Sequence, residues 1–438
     1  MNSIVLVIVG ALVLILGYRL YGCFIAAKVL ALDETRKVPS EVFEDGKDYV
    51  PTNKWVLLGH HFAAIAGAGP LIGPVLAAQF GYLPGTLWIL IGSVAAGAVH
   101  DMIMLFASVR FNGESIAEIA KHTLGKKIGF ITSISVIFIL IITMAGLGLP
   151  VVNSLYNSPW GTFTVGATIP IAIFVGIYLR YIRPGKIGEA TIIGMVLILL
   201  AVIFGPQVQG TALGNFLTLN TKQLSVILVI YGFCAAALPV WLLLLPRDYL
   251  STYMKLGVIG ILVVGILIVR PQLQMPALTQ YIHGGGPVVS GKVFPFLFIT
   301  IACGALSGFH SLISTGTTPK LIKNEKDILP IGYGSMLLEA FISLMALIAA
   351  TALPTSDYFA INSLPEVFNK LNLIPKDLPM LQTLVGEQLA GRPGGSVSLA
   401  VGMTYVFHNI PGLSSIMSYW YHFCIMFEAL FILTTIDS

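Results

Sequence analysis

Eight ionisable side chains stand in stretches otherwise too apolar for water: His60, His61, His100, Asp101, His310, Glu339, His422 and Glu428. Ionisable groups inside hydrocarbon are costly and mark a functional site by default. Histidine changes charge near neutral pH, so a histidine beside a carboxylate, as in His100-Asp101, suits a proton relay. Two structural readings compete with this. His60 and His61 would be an interfacial pair that snorkels at a helix start. His100 and Asp101 would be a polar pair tying helices together. The candidates for cation or proton coupling are His61, His100, Asp101, His310, Glu339 and Glu428, joined by hydroxyls further along the chain.

Those hydroxyls lie in Ser307-Gly308-Phe309-His310-Ser311 and in Ser314-Thr315. At helical spacing Ser307, Ser311, and Ser314 or Thr315 share one face. Beside a histidine they offer an oxygen-lined surface for a small cation. The alternative is that each hydroxyl bonds back to a carbonyl of its own helix.

A third pattern concerns the backbone. The run Gly67-Ala68-Gly69-Pro70-Leu71-Ile72-Gly73-Pro74 must interrupt a helical hydrogen-bond ladder. Such a break exposes carbonyls that suit a cation and N–H groups that suit a carboxylate. A plain kink, or close helix packing through small residues, is the competing reading. Leu238-Pro239, followed by Trp241, is a second break. Gly67, Ala68, Gly69, Pro70, Gly73, Pro239 and Trp241 are therefore the candidate substrate-binding residues. The glycine run lacks the strand–turn–helix context of a phosphate loop, so a nucleotide site is rejected.

Histidines with Asp101 also allow a divalent-metal transporter, yet no His-Glu-x-x-His or comparable spacing occurs, and no metal site or cofactor is expected. No nucleophile motif stands in a suitable context, so the chain is not expected to be an enzyme. A channel would need a filter-like repeat or a ring of acids, and neither appears.

The elements that must position these groups follow from composition. Of 438 residues, 56% are hydrophobic and only 10% charged. Soluble chains carry about 25% charged residues, so the apolar excess here must face lipid. This excludes a cytosolic enzyme, a nucleic-acid binder and a secreted disulfide scaffold. Cys23, Cys234, Cys303 and Cys424 all fall in apolar runs without metal-site spacing and read as small buried hydrophobes. The first apolar run lacks a basic segment ahead of it, so it reads as a membrane span and not a cleaved leader.

A spanning helix needs about 20 apolar residues. Eleven stretches qualify, near 3–23, 55–79, 83–108, 128–149, 161–182, 187–205, 224–246, 252–270, 293–316, 328–352 and 412–436. Odd-numbered loops, including 247–255, hold 17 of the 24 Lys and Arg, and even-numbered loops hold six. The positive-inside rule then puts odd loops in the cytoplasm and the amino terminus outside. The long loop 353–411 contains an amphipathic piece, Leu378 to Leu389, and an apolar segment, Val397 to Phe407, too short to span and suited to a re-entrant or interfacial helix.

The breaks have a regular placement. Spans two and seven run in opposite directions and each opens a set of five. The expected fold is an all-α polytopic membrane protein of about eleven helices. One extra helix with its cytoplasmic loop (1–54) precedes a five-plus-five inverted repeat (55–222 and 223–438), the layout of a transporter with a midplane site.

Long motifs then suggest a family. Asp48-Tyr49-Val50-Pro51-Thr52-Asn53-Lys54-Trp55, continuing through Gly59-His60-His61-Phe62 to Gly73-Pro74, closely resembles the carbon starvation protein A (CstA) family. So do Ala107-Ser108-Val109-Arg110, Pro239-Val240-Trp241 with Pro246-Arg247-Asp248-Tyr249-Leu250, and Ser307-Gly308-Phe309-His310-Ser311 through Thr317-Thr318-Pro319-Lys320. Phe427-Glu428-Ala429-Leu430 with Thr434-Thr435-Ile436-Asp437 completes the set, which covers nearly the whole chain.

The resemblance implies a multi-pass inner-membrane importer induced when carbon is scarce, taking up peptides or, in some members, pyruvate with protons. It also implies the amino acid–polyamine–cation superfamily and its leucine-transporter-like repeat. The chain departs from the family pattern in two places. Members continue past Thr-Thr-Ile-Asp with a Gly-Thr-Arg stretch and further spans, which leaves the final architecture open; and His100 stands where the family has Gln. The expected partners are a small-molecule substrate and membrane lipid, with H+ or Na+ as coupling ion.

Overall fold

The computed structural model describes residues 1–46, 48–183, 186–238, 242–408 and 410–437, and among these it is helical, with no strand. The principal helices are α1 (Ser3–Val29), α2 (Lys54–Ile65), α3 (Gly69–Phe80), α4 (Tyr82–Arg110), α5 (Lys126–Leu155), α6 (Pro159–Ile182) and α7 (Gly188–Val208). They continue with α8 (Thr221–Ala237), α9 (Leu244–Val269), α10 (Val293–Thr300), α11 (Gly308–Ser314), α12 (Glu325–Ala352), α13 (Ser396–His408) and α14 (Met417–Asp437). Among the described residues eight helices are long and apolar enough to cross a membrane, or nine if the pair α2 and α3, bent by 47°, is one broken span. The chain is a multi-pass helical membrane protein.

Besides the broken pair α2–α3, two of the eleven expected stretches are not continuous helices. The stretch 224–246 ends its helix at Ala237, and a new helix, α9, starts at Leu244. Pro239 and Trp241 fall between them, outside the described residues. Because α9 runs unbroken from Leu244 to Val269, the expected cytoplasmic loop 247–255 does not exist. Its two basic residues, Arg247 and Lys255, are buried. Arg247 Nη2 donates to Thr168 Oγ1 at 3.3 Å and its guanidinium lies over the Tyr231 ring. The stretch 293–316 also splits, into α10 and α11, and residues 301–307 between them are not helical.

Burial sorts the helices. Nearly every residue of α12 after Ser335 is buried, whereas α5 exposes Ile131, Ile134, Ile137, Phe138, Ile141 and Ile142, as a lipid-facing helix should. Lipid tails are as apolar as leucine, so helices associate in a bilayer through close packing and polar bonds. Helix α12 accordingly packs on α1, α2, α3, the first half of α4, and α13. Side-chain donors reach across: Tyr333 to the Val94 carbonyl at 2.9 Å, Tyr358 to Val75 at 2.7 Å, and Trp88 Nε1 to Ile301 at 3.0 Å. The last satisfies a carbonyl in the unwound 301–307 segment.

The apolar segment of loop 353–411 is α13, 13 residues with eleven buried by protein, packed between α12 and α14. At 1.5 Å per residue it is about 20 Å long, short of the ~30 Å hydrocarbon core.

Candidate functional site

Helix α2 stops at Ala66, whose ψ of 74° leaves the helical region, and α3 begins at Gly69 with Pro70 in its first turn. The break is therefore narrower than the Gly67–Pro74 run, and Pro74 sits inside α3. Proline lacks an N–H, so the Ala66 carbonyl has no donor four residues on. The Gly67 N–H, which in a helix would serve Ala63, turns to Ile65 O at 2.8 Å. Two carbonyls are thus orphaned by sequence, at a cost of several kcal/mol each in hydrocarbon. Lys255 meets both. Its Nζ donates to Ala63 O and to Ala66 O at 2.9 Å each, and it lies 4.1 Å from the Phe431 ring centroid. Charge-assisted hydrogen bonds of this kind contribute roughly 1.5–3 kcal/mol each.

The sequence reading placed Lys255 among the cytoplasmic charges. The missed signal is periodic: Ser251, Met254, Val258, Ile259, Leu262 and Ile266 form the buried stripe of α9, and Lys255 falls on it.

The unwound segment 301–307 lies against the same break. A Cβ on Gly69 would strike Cys303, and one on Gly73 would strike the Thr300 carbonyl, so both positions need glycine for the two backbones to meet. Beyond this contact the ionisable candidates converge. Asp101 of α4, His310 of α11 and Glu339 of α12 are all fully buried. His310 Nδ1 is 2.7 Å from Asp101 Oδ2, and His310 Nε2 is 3.2 Å from Glu339 Oε2. The other Asp101 oxygen faces His100 Nδ1 at 2.9 Å, and Cys303 Sγ is 3.5 Å from His310 Nε2.

So His100, Asp101, His310 and Glu339 are brought together, with Cys303 added. The expectation that all four cysteines are inert buried hydrophobes needs correction: only Cys424 is buried, Cys234 is exposed, and Cys303 faces the histidine. Cys303, His310 and Glu339 offer three donor atoms within 4.8 Å of one another, one fewer than the four ligands of a closed tetrahedral site, and His310 is already held by two carboxylates.

The remaining candidates are not hydrogen-bonded into this cluster among the described residues. His61 Nδ1 pairs with Thr318 Oγ1 at 2.9 Å. Ser311 and Thr315 hydroxyls donate to Gly308 O and Ser311 O of their own helix, at 2.6 and 2.8 Å, and Thr315 also accepts from the Ile116 N–H. Ser307 precedes α11 in extended conformation, and Ser314 is buried with no hydrogen-bond partner for its hydroxyl among the described residues. Glu428 is buried in α14, and among the described residues neither of its oxygens makes an aligned hydrogen bond. Gly67 packs under the Thr435 hydroxyl, and Ala68 is buried.

Sequence reasoning missed two further carboxylate clusters. Glu325 Oε1 pairs with Arg110 Nε at 2.7 Å, and its Oε2 accepts the Asp33 N–H at 2.8 Å. In the other, Glu387 accepts from Ser158 Oγ at 2.5 Å, His422 Nε2 at 3.1 Å and Arg392 Nη1 at 2.8 Å. Burial works to raise the Glu387 pKa, but the His422 hydrogen bond and the Arg392 charge outweigh it and hold the carboxyl at about 2. His422 is stacked on Trp160, with ring centroids 3.6 Å apart.

Broken helices around a buried acid–histidine cluster define a polytopic membrane protein with an interior site of the kind transporters use. Residues 2–438 match the carbon starvation protein CstA family, and the chain belongs to that family. It is 55% identical to the peptide transporter CstA of Bacillus subtilis strain 168, over 100% of this chain and 73% of the relative. It is 50% identical to the peptide transporter CstA of Escherichia coli K12, over 100% of this chain and 65% of the relative. It is 47% identical to the pyruvate/proton symporter BtsT of Escherichia coli K12, over 100% of this chain and 66% of the relative. The chain spans about two thirds of the length of most of the curated relatives it matches.

Proposed function

We propose that the chain is a secondary active transporter that imports peptides across the inner membrane when carbon is scarce, driven by protons. The observation that carries this is the placement of the Asp101–His310–Glu339 cluster beside the α2–α3 break. Two carboxylates and one imidazole in a dry site hold a net charge of −2 when no proton is bound. Charges that far from water are sustained only when paired, so the cluster binds at least one proton in one state of the cycle. Substrate binding and helix movement at the adjacent break would change its solvation and so its proton occupancy. Each charge crossing 100 mV supplies about 2.3 kcal/mol.

In this reading the carboxylate of the substrate docks at the positive end of α3. The two halves, 55–222 and 223–438, form a five-plus-five inverted repeat of the amino acid–polyamine–cation type, with eleven spans and the amino terminus outside.

Pyruvate is the second substrate reading, favoured by the identity to a relative named as a pyruvate/proton symporter. Labelled pyruvate uptake into proteoliposomes, competed with di- and tripeptides, separates the two. Peptides that displace pyruvate support a shared site for peptide carboxylates, and uptake untouched by peptides restricts the substrate to small carboxylic acids.

A further inference from the structure

The proton reading leaves one member of the central cluster without a task, the Cys303 thiol. Cys303 Sγ and Glu339 Oε2 approach the same imidazole nitrogen, His310 Nε2, at 3.5 and 3.2 Å. Around a four-coordinate zinc ion, with bonds of about 2.0–2.1 Å to N and O and about 2.3 Å to S, neighbouring N and S donors stand ~3.5 Å apart and N and O donors ~3.4 Å apart. The two separations seen here are close to those edges, and all three donor atoms lie within 4.8 Å of one another.

Two further observations point to an ion. Glu339 is fully buried, and neither of its oxygens makes an aligned hydrogen bond among the described residues. A carboxylate so placed is costly, and a cation held between it and its neighbours removes the cost. The other ring nitrogen, His310 Nδ1, faces Asp101 Oδ2 at 2.7 Å, and the second Asp101 oxygen is held by His100. A metal-binding histidine almost always gives its second N–H to a carboxylate or carbonyl, which fixes its tautomer and ring orientation. Spacing along the chain hid the set, because its members come from the unwound 301–307 segment, α11 and α12. His310 and Glu339 are buried while Cys303 is only partly so, which leaves one side for entry and for a fourth ligand such as water.

We propose that Cys303, His310 and Glu339 bind a divalent ion of the zinc class, with Asp101 orienting the histidine, and that the bound ion inhibits transport. Thiolate and imidazole select zinc or cobalt over magnesium and calcium, which take oxygen ligands. As the sulfur–metal bond forms, the thiol proton leaves to water. The ion's two charges cancel the two carboxylate charges that the cluster carries when no proton is bound, so metal and proton compete for one place. The ion would also tie the unwound segment to α11 and α12 beside the α2–α3 break, where movement is required. The inhibition rests on the transport reading above, while the metal site stands on its geometry.

The test is titration of the purified, reduced, untagged full chain with Co2+, read by absorption. Wild type should show a thiolate-to-cobalt charge-transfer band with the intense ligand-field bands of four-coordination, and Zn2+ but not Mg2+ should abolish them. Cys303→Ser should lose the charge-transfer band. Asp101→Asn should bind roughly tenfold or more weakly, the usual worth of a carboxylate behind a metal-bound histidine. His122→Ala, which removes a histidine paired with Glu114 at the surface, should bind as wild type does. Absence of the charge-transfer band in wild type overturns the site, as does its persistence in Cys303→Ser. Should Cys303→Ser not fold, iodoacetamide labelling of wild type reads the same thiol: Zn2+ should protect Cys303 and spare the exposed Cys234 no labelling. Cys303 labelling unchanged by Zn2+ overturns the site. In proteoliposomes Zn2+ should suppress proton-driven uptake by wild type, and cobalt binding with uptake untouched overturns the inhibitory role. The absorption arm needs no transport, so the metal site can fail while the transport reading survives, and the reverse.

Discussion

His310 presents its Nδ1 to Asp101 at 2.7 Å across 209 residues of sequence, with both side chains fully buried. This bond joins α4 to the short helix after the unwound 301–307 segment, and Glu339 closes the other side of the imidazole. If the cluster carries the transported proton, Asp101→Asn keeps the shape and removes the charge. Accumulation driven by a proton gradient should fall more than tenfold, the equivalent of about 1.4 kcal/mol, while substrate exchange at equal pH persists. Loss of both to the same degree would assign Asp101 a structural role alone.

The backbone contact at the break is testable by glycine replacement. Gly73→Ala drives a methyl into the Thr300 carbonyl, and overpacking of this sort costs about 1–3 kcal/mol. Gly59→Ala, whose new Cβ would meet the Thr252 methyl at an ordinary 3.5 Å, is the matched control. Thermal melts should show a clear loss for the first and a change within about 0.5 kcal/mol for the second. A neutral Gly73→Ala would show that α3 and Thr300 are not in contact.

Glu387 gives a pH dependence with a definite sign. Its folded pKa, about 2, lies below the ordinary 4.5. A depressed carboxyl contributes stability that is complete above the unfolded value and lost as pH falls toward the folded one. The shift corresponds to a contribution on the order of 3 kcal/mol. Glu387→Gln should therefore be less stable than wild type at pH 7, and the gap should narrow as pH drops from about 4.5 toward 2. Denaturant titrations at stepped pH check it, and a gap constant across that range contradicts it.

Glu325 should tie the 28–54 segment to the rest of the molecule, since it holds both Arg110 and the Asp33 backbone. Arg36 lies 3.7 Å from the same carboxylate. Glu325→Gln should expose the segment and speed limited tryptic cleavage at Arg36 and Lys37 several-fold, read by gel. Unchanged cleavage would show that other contacts hold the segment.

Much of the site was legible from residue type. Asp101 with its neighbour His100, His310 and Glu339 are conspicuous because their apolar runs hold no other acid, base or histidine, and the proline–glycine run marks the α2–α3 break. What residue type could not give is which groups meet, since His310 pairs with Asp101 rather than with the nearby serines, whose hydroxyls turn to their own carbonyls. Lys255 was hidden by a different cause. Hydropathy averaged over a window puts a lysine at the edge of an apolar run into a loop, while helical phase puts it on the buried stripe of α9. The 293–316 stretch misled in the same way: its apolar composition fits a span, but Gly304 and Ser307 sit where the chain unwinds. Composition measures how apolar a segment is, and a backbone held by neighbours such as Trp88 can be apolar without being helical.

The central claim is proton-driven import, and proteoliposome uptake measures it most directly. With an inward proton gradient and no sodium, labelled peptide or pyruvate should accumulate above its external concentration and leak back when a protonophore is added. Uptake that never exceeds equilibrium under that gradient, or that exceeds it only when sodium is supplied, would contradict the account.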